Sequence, residues 1–223
     1  MQAIGQPFVL AGYCMGGTLA VAAAQRCPGL VRGLVLLAAP WDFHAPDPDR
    51  AHSAAGWLPA LEPLLARTGT LPVDPLQALF ALLEPWGVAD KYRGFAQLDP
   101  DSDRARLFVA LEDWLNDGVT LAAPVARDCL AGWYGANSPA AGDWRIAGRP
   151  VRPADCRLPS LAVIPDHDRI VPPRSALALA EALPDVEVLR PAAGHIGMVA
   201  GSRAEEAVWR PLRSWLRTLP DAA

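Results

Sequence analysis

The chain has 223 residues, 52% of them hydrophobic, which suits one domain of ordinary size, or one domain with a large insertion, and is ample for a buried core. A formal charge of −4, with no dense Lys/Arg run of the kind that phosphate backbones or anionic lipids require, sets nucleic acid aside as a partner. No apolar run reaches the ~20 residues of a bilayer span, and the opening residues lack the basic-then-apolar layout of a secretory signal, so the expected setting is cytoplasmic.

In chain order, residues 7–13 (PFVLAGY) form a short apolar run closing on Gly12-Tyr13. The Ala- and Leu-rich MGGTLAVAAAQRC follows Cys14, which predicts a strand, a sharp turn and a helix. Residues 31–40 (VRGLVLLAAP) read as a strand buried on both faces of a parallel sheet, ended by proline. Residues 41–155 have another character, rich in Pro, Trp and Leu, and predict an inserted, mainly helical cap. Its expected helices include 57–67, 75–86 and 120–134, with HAPDPDR and GANSPAAGD as connecting turns. A third strand is expected at 158–166, a helix at 175–183 and a fourth strand at 186–192. The last helix, EEAVWRPLRSWLRTL, should break or kink at Pro211. Strands alternating with helices imply an α/β class, with a core made of residues 1–40 and 156–223 and a mainly parallel, doubly covered sheet.

Four cysteines, Cys14, Cys27, Cys129 and Cys156, fall at irregular spacings without CxxC pairs, so neither a disulfide framework nor a zinc site is expected, and no metal or other cofactor is called for. Cys27, Cys129 and Cys156 read as small buried hydrophobes. Cys14 differs. In Gly12-Tyr13-Cys14-Met15-Gly16-Gly17 it occupies a G-x-C-x-G between strand and helix, the pattern of the nucleophile elbow of the α/β-hydrolase fold with Cys in place of Ser. The turn strains the nucleophile's backbone, and Gly12 and Gly16 are expected to relieve crowding around it. The helix that follows places a favourable field at the sulfur and offers the Met15 backbone N–H as an oxyanion donor.

An acyl-transfer cysteine needs a base, and His195 follows the last expected strand, where this fold sets its catalytic histidine. Chain order asks for an acid between the two; Asp168, after the penultimate strand, is preferred over Asp166. His44 and His52 read as solvated turn residues, His167 as a solvated neighbour of the acid, and Asp42 as structural, orienting the elbow or the cap through hydrogen bonds. Trp57, Trp86, Trp114 and Trp133 of the insertion are candidates for core or for lining an acyl tunnel.

GYCMGG elbows occur in dienelactone hydrolases and in polyhydroxyalkanoate synthases. The long separation of Cys14 from Asp168 leaves room for a cap, which the compact dienelactone enzymes lack and the synthases carry. LVLLAAPWDF, DWLNDGVTLAAPVARDCLAGWYGAN, WRIAGRPVRPADCRLPSLAVIPDHDRIVPP and AAGHIGMV extend the likeness from Gly12 to Val199, in the synthase order, so the chain resembles that family along most of its length. The resemblance implies that Cys14 takes up a 3-hydroxyacyl group from coenzyme A, that His195 deprotonates the thiol or the incoming hydroxyl, and that Asp168 supports His195. Arg169 stands where the synthase motif usually has His, and Pro173 where it often has Trp; a hydrolase such as a thioesterase, esterase or depolymerase would keep the triad and alter those neighbours. A third reading is a shortened, catalytically impaired relative that binds a partner or a polymer granule. The fold normally sets four strands before the elbow, and one of their loops supplies a second oxyanion donor. If Met1 is the true start, the first strand should present an open edge that invites association with another copy.

Overall fold

The computed structural model describes residues 5–27, 29–83 and 87–220. The chain divides into two compact units, residues 1–53 with 132–223 and residues 54–131.

The first unit is built on four parallel strands. β1 (Phe8–Tyr13) leads through Cys14 into α1 (Met15–Arg26), and β2 (Val31–Leu37) returns beside β1 with Tyr13 opposite Leu37. α2 (Pro48–Ala55) then runs up to the second unit. That unit contains α3 (Leu58–Thr68), β3 (Thr70–Leu71), α4 (Val73–Leu83), α5 (Gly87–Phe95), α6 (Asp103–Asn116), β4 (Leu121–Ala122) and α7 (Ala123–Arg127). Its core gathers Leu65, Leu71, Ala123 and Ala126 around an antiparallel β3–β4 pair, with Ser102 capping α6 by accepting from the Ala105 N–H. The expected helix at 120–134 thus opens as a strand, because Leu121 and Ala122 pair with Leu71 and Thr70, and the helix starts at Ala123. The end of the expected 75–86 helix, with Trp86, lies outside the described residues.

Back in the first unit come α8 (Ser138–Ala141), the hairpin β5 (Arg145–Ile146) and β6 (Arg149–Pro150), then β7 (Ser160–Val163), α9 (Pro173–Ala182), β8 (Val186–Leu189), α10 (Gly197–Ala200) and α11 (Arg210–Leu216). The sheet order is β1-β2-β7-β8, with Leu37 opposite Val163 and Val163 opposite Leu189. Among the described residues β1 pairs with β2 alone. Period-two alternation sorts β7 onto two cores. Leu161 and Val163 join Val35, Met198, Val208 and Trp215 on one face, while Ala162 and Ile164 join Val171 and, from α9, Ala176 and Ala180 on the other. Because both faces are covered, all four residues of β7 are buried, and that is why its sequence runs apolar without alternation. Pro211 sits in the first turn of α11, where a missing N–H costs nothing, and a π-helical turn at Glu205–Trp209 precedes it.

The sequence boundaries at 40/41 and 155/156 differ from the compact units because residues 41–53 and 132–155 pack with the sheet unit. Trp41 meets Trp144 edge-on at 6.0 Å and Trp133 meets Trp144 at 5.3 Å. Trp133 is therefore core of the first unit, whereas Trp57 and Trp114 are exposed on the second.

Candidate active site

The strand β1 ends in a turn that only particular residues can make. Cys14 has φ 53° and ψ −128°, a left-side conformation that costs a non-glycine residue about 1–3 kcal/mol and is held by its surroundings. Its backbone N–H donates to the Leu37 carbonyl at 2.8 Å and its carbonyl accepts from the Gly17 N–H at 2.9 Å. The Thr18 hydroxyl donates to the Pro40 carbonyl at 2.6 Å and ties α1 to the loop after β2. Close approach at the elbow is concentrated on Gly12 and Gly17. A Cβ on Gly12 would lie 2.4 Å from the Gly16 oxygen, and one on Gly17 would lie 2.4 Å from the Ala39 Cβ. A Cβ on Gly16 meets nothing within 4 Å, so the crowding expected there falls on Gly17, whose Cα packs against β1 where Gly16 points to open space. Met15, the expected oxyanion donor, is the first residue of α1.

Two loops bring acid and base together at the ends of β7 and β8. They are stitched by the Asp166 N–H donating to the Pro191 carbonyl and the His167 N–H to the Ala193 carbonyl, both at 3.0 Å. Asp168 is buried, and its Oδ1 accepts from the Ile170 and Val171 N–H groups at 2.9 and 2.8 Å. Its Oδ2 is left for His195, whose Nδ1 lies 2.6 Å away. With Nδ1 turned to the carboxylate, the other ring nitrogen is left for a further partner, and the Cys14 side chain bears on the imidazole electrostatically. Asp166, the rival acid, faces away and pairs with Arg190 at 2.6 Å. Asp168 and His195 are thus in direct contact, and Cys14 is near enough to act on the same imidazole through its charge.

Burial alone would lower the pKa of His195. The hydrogen bond to Asp168, then the Cys14 side chain, outweigh it and push the imidazole up to about 9. The proton is therefore held more tightly in the folded chain than at the ordinary value of 6.5. That contribution to stability is complete below pH 6.5 and is lost as pH rises through about 9. Urea unfolding midpoints in reducing buffer are expected to fall across this window and to flatten in His195→Ala; a level profile in the unaltered chain would contradict the assignment.

The remaining candidates have other partners. Asp42 Oδ1 accepts from the Asn137 side chain at 2.8 Å and the His44 N–H at 3.0 Å, an orienting network for the loop after β2. His44 lies in a turn but is half-buried, its Nε2 2.9 Å from the Tyr134 carbonyl and its ring 4.7 Å from that of His52, which is exposed but sits in α2 and not in a turn. His167 is exposed. All four cysteines are free, and Cys129 and Cys156 are buried. Among the described residues no group of three or more His, Cys, Asp or Glu side chains is placed to hold a metal ion. Sequence reasoning missed Tyr13, whose ring packs on His195; its place next to Cys14 was the available signal.

A parallel sheet with a cysteine at a strained strand-to-helix turn, an acid after the next-to-last strand and a histidine after the last defines an α/β-hydrolase arrangement. Residues 2–201 match the alpha/beta hydrolase fold family, and the chain belongs to it. Within that family it is similar to poly(3-hydroxyalkanoate) polymerase subunits PhaC. It is 29% identical over 214 residues to that of Haloferax mediterranei, covering 92% of this chain and 42% of the relative. It is 28% identical over 212 residues to that of Allochromatium vinosum, covering 93% and 59%. The chain spans about half the length of the curated relatives it matches. A thermophilic esterase from Thermogutta terrifontis shares the fold, with a TM-score of 0.52 at 20% identity over 97% of this chain and 66% of that one. Among the described residues no helix is long and apolar enough to cross a membrane.

Proposed function

We propose that the chain is an acyltransferase of the polyhydroxyalkanoate synthase type, working through Cys14, His195 and Asp168 on 3-hydroxyacyl-coenzyme A thioesters in a cytoplasmic setting. The observation that carries the reading is the Asp168–His195 contact at 2.6 Å, with Cys14 acting on the same imidazole. The polymerase subunits it resembles supply the substrate class.

The steps follow from the contacts. His195 takes the proton of the Cys14 thiol, and the sulfur attacks the thioester carbonyl carbon while charge on the oxygen is drawn toward backbone N–H groups at the start of α1. The carbon–sulfur bond to coenzyme A breaks, and the departing thiolate takes the proton back from His195, leaving an acyl group on Cys14. His195 then removes the proton from the 3-hydroxyl of an incoming chain, whose oxygen attacks the Cys14 thioester. An ester forms and the cysteine leaves with the proton. Asp168, fixed by two backbone donors, keeps Nδ1 protonated and the ring aimed through both half-reactions.

Water in place of the hydroxyl gives a hydrolase on the same residues. Incubation of the purified chain with 3-hydroxybutyryl-coenzyme A separates the two. Polymer with free coenzyme A is expected; free acid with coenzyme A would transfer the assignment to a hydrolase, and no release of coenzyme A would refute both.

A further inference from the structure

Tyr13 is the last residue of β1 and the immediate neighbour of the cysteine, and its phenol ring does not lie idle against the sheet. Its hydroxyl donates to the backbone carbonyl of His195 at 3.2 Å, and its ring stands 4.8 Å from the imidazole, tilted by 32°. Part of the same side chain packs on the core of Val35, Leu37 and Val163, so the ring is anchored in the rigid end of the sheet while touching a loop that is not part of it. Resting on the reading of Cys14 and His195 given above, we propose that Tyr13 is a positioning residue for His195: its hydroxyl fixes the loop backbone, and its ring face favours the protonated imidazole that follows proton transfer from the thiol.

The chemistry is that of a cation beside an aromatic face, in a place where water contributes little because His195 is only 8% exposed. The other titratable groups bearing on the imidazole are Asp168, from the turn after β7, and Cys14, from the elbow. Asp166 is engaged by Arg190 and the His167 side chain is exposed. Burial, then the charges of Cys14 and Asp168, drive the Tyr13 phenol upward, so it stays a hydrogen-bond donor through the pH range of the reaction and never competes for the proton. The bond to the carbonyl matters separately, because it ties the backbone at 195 to the end of β1, whereas the Asp168–His195 pair and the main-chain bonds tie this loop to the one after β7.

The test reads the imidazole directly. In the full chain labelled at histidine, the His195 resonance is assigned by its loss in His195→Ala and titrated by NMR. Tyr13→Leu is expected to lower the His195 midpoint by about half a unit to one and a half units. Tyr13→Phe, which keeps the ring, should hold the midpoint within about 0.3 unit while slowing iodoacetamide alkylation of Cys14 at neutral pH by about 2- to 10-fold through the lost anchor. A midpoint unmoved in folded Tyr13→Leu would overturn the proposal. Should Tyr13→Leu not fold, the alkylation rate of Tyr13→Phe decides, and equality with the unaltered chain would overturn it. A shifted midpoint in a chain that turns over no acyl thioester would leave the Tyr13 inference standing and the functional assignment refuted.

Discussion

On the acyl-transfer reading proposed above, Cys14→Ala and Cys14→Gly are both expected to lose activity by on the order of 10⁴- to 10⁶-fold, and yet to differ in stability in the direction opposite to ordinary experience. Alanine retains a Cβ at φ 53°, so it keeps the strain of the turn while losing the sulfur. Glycine loses the sulfur too but adopts this conformation freely, which relieves about 1–3 kcal/mol and is offset by about 0.5–1 kcal/mol of extra chain entropy in the unfolded state. Cys14→Gly should therefore melt above Cys14→Ala by a few degrees, since about 1 kcal/mol moves the midpoint of a chain this size by roughly 2–4 °C. Strain retained at this half-buried residue is what the proposed nucleophile at the end of a strand would require. Calorimetry on the two variants decides it: alanine the more stable would mean that the turn is relaxed and the elbow is no more than packing. The same variants calibrate labelling. The Cys129 thiol is pushed up to about 12 by burial and then by Asp128, and burial also raises Cys156, so at neutral pH both are protonated and poorly nucleophilic. Rapid alkylation that disappears with Cys14 and slows in His195→Ala is the expected pattern.

How much of this was legible in the sequence follows from which signals are local. All four expected strands appear, because strands buried on both faces leave unbroken apolar runs that need no partner to be recognised. The paired strands are shorter than the apolar runs: residues 38–40 and 164–165 continue them, but ladder pairing stops at Leu37 and Val163, where Ala38 turns to positive φ and the loops diverge toward the site. Cys14, Asp168 and His195 could be put forward as candidates because chain order and strand ends restrict where this fold sets such residues. What sequence could not supply was contact between residues far apart in the chain. The choice of Gly16 over Gly17 is one case, since only Ala39, brought against α1 by the Thr18–Pro40 bond, shows which glycine is crowded. Tyr13 is another, its partner being 182 residues away. The division of the insertion is a third: three tryptophans spread from position 41 to 144 look alike in sequence, and only their mutual packing shows that they belong with the sheet.

The three elbow glycines make the second large prediction, because they look equivalent and are not. Gly12→Ala sets a Cβ 2.4 Å from the Gly16 oxygen, 2.5 Å from the Gly17 Cα and 2.6 Å from the Gly16 carbonyl carbon. Every one of these is backbone at the start of α1, so relief requires moving the helix off the strand, and a loss above about 4 kcal/mol, enough to unfold much of the chain, is expected. Gly17→Ala collides chiefly with the Ala39 Cβ at 2.4 Å, with the Gly12 oxygen a lesser contact at 3.1 Å. It should be costly alone and substantially rescued by Ala39→Gly, which removes the principal obstacle; the coupling between these two positions in a double-mutant cycle should reach about 1–3 kcal/mol. Gly16→Ala meets open space and replaces a glycine inside a helix, so it should leave stability unchanged or raise it by up to about 1 kcal/mol. Thermal melts of the three single variants and the Gly17→Ala/Ala39→Gly pair give the order directly. If Gly16→Ala proves as damaging as Gly12→Ala, or if Ala39→Gly fails to restore Gly17→Ala, then α1 is not seated against β1 as described, and the placement of Cys14 at their junction falls with it.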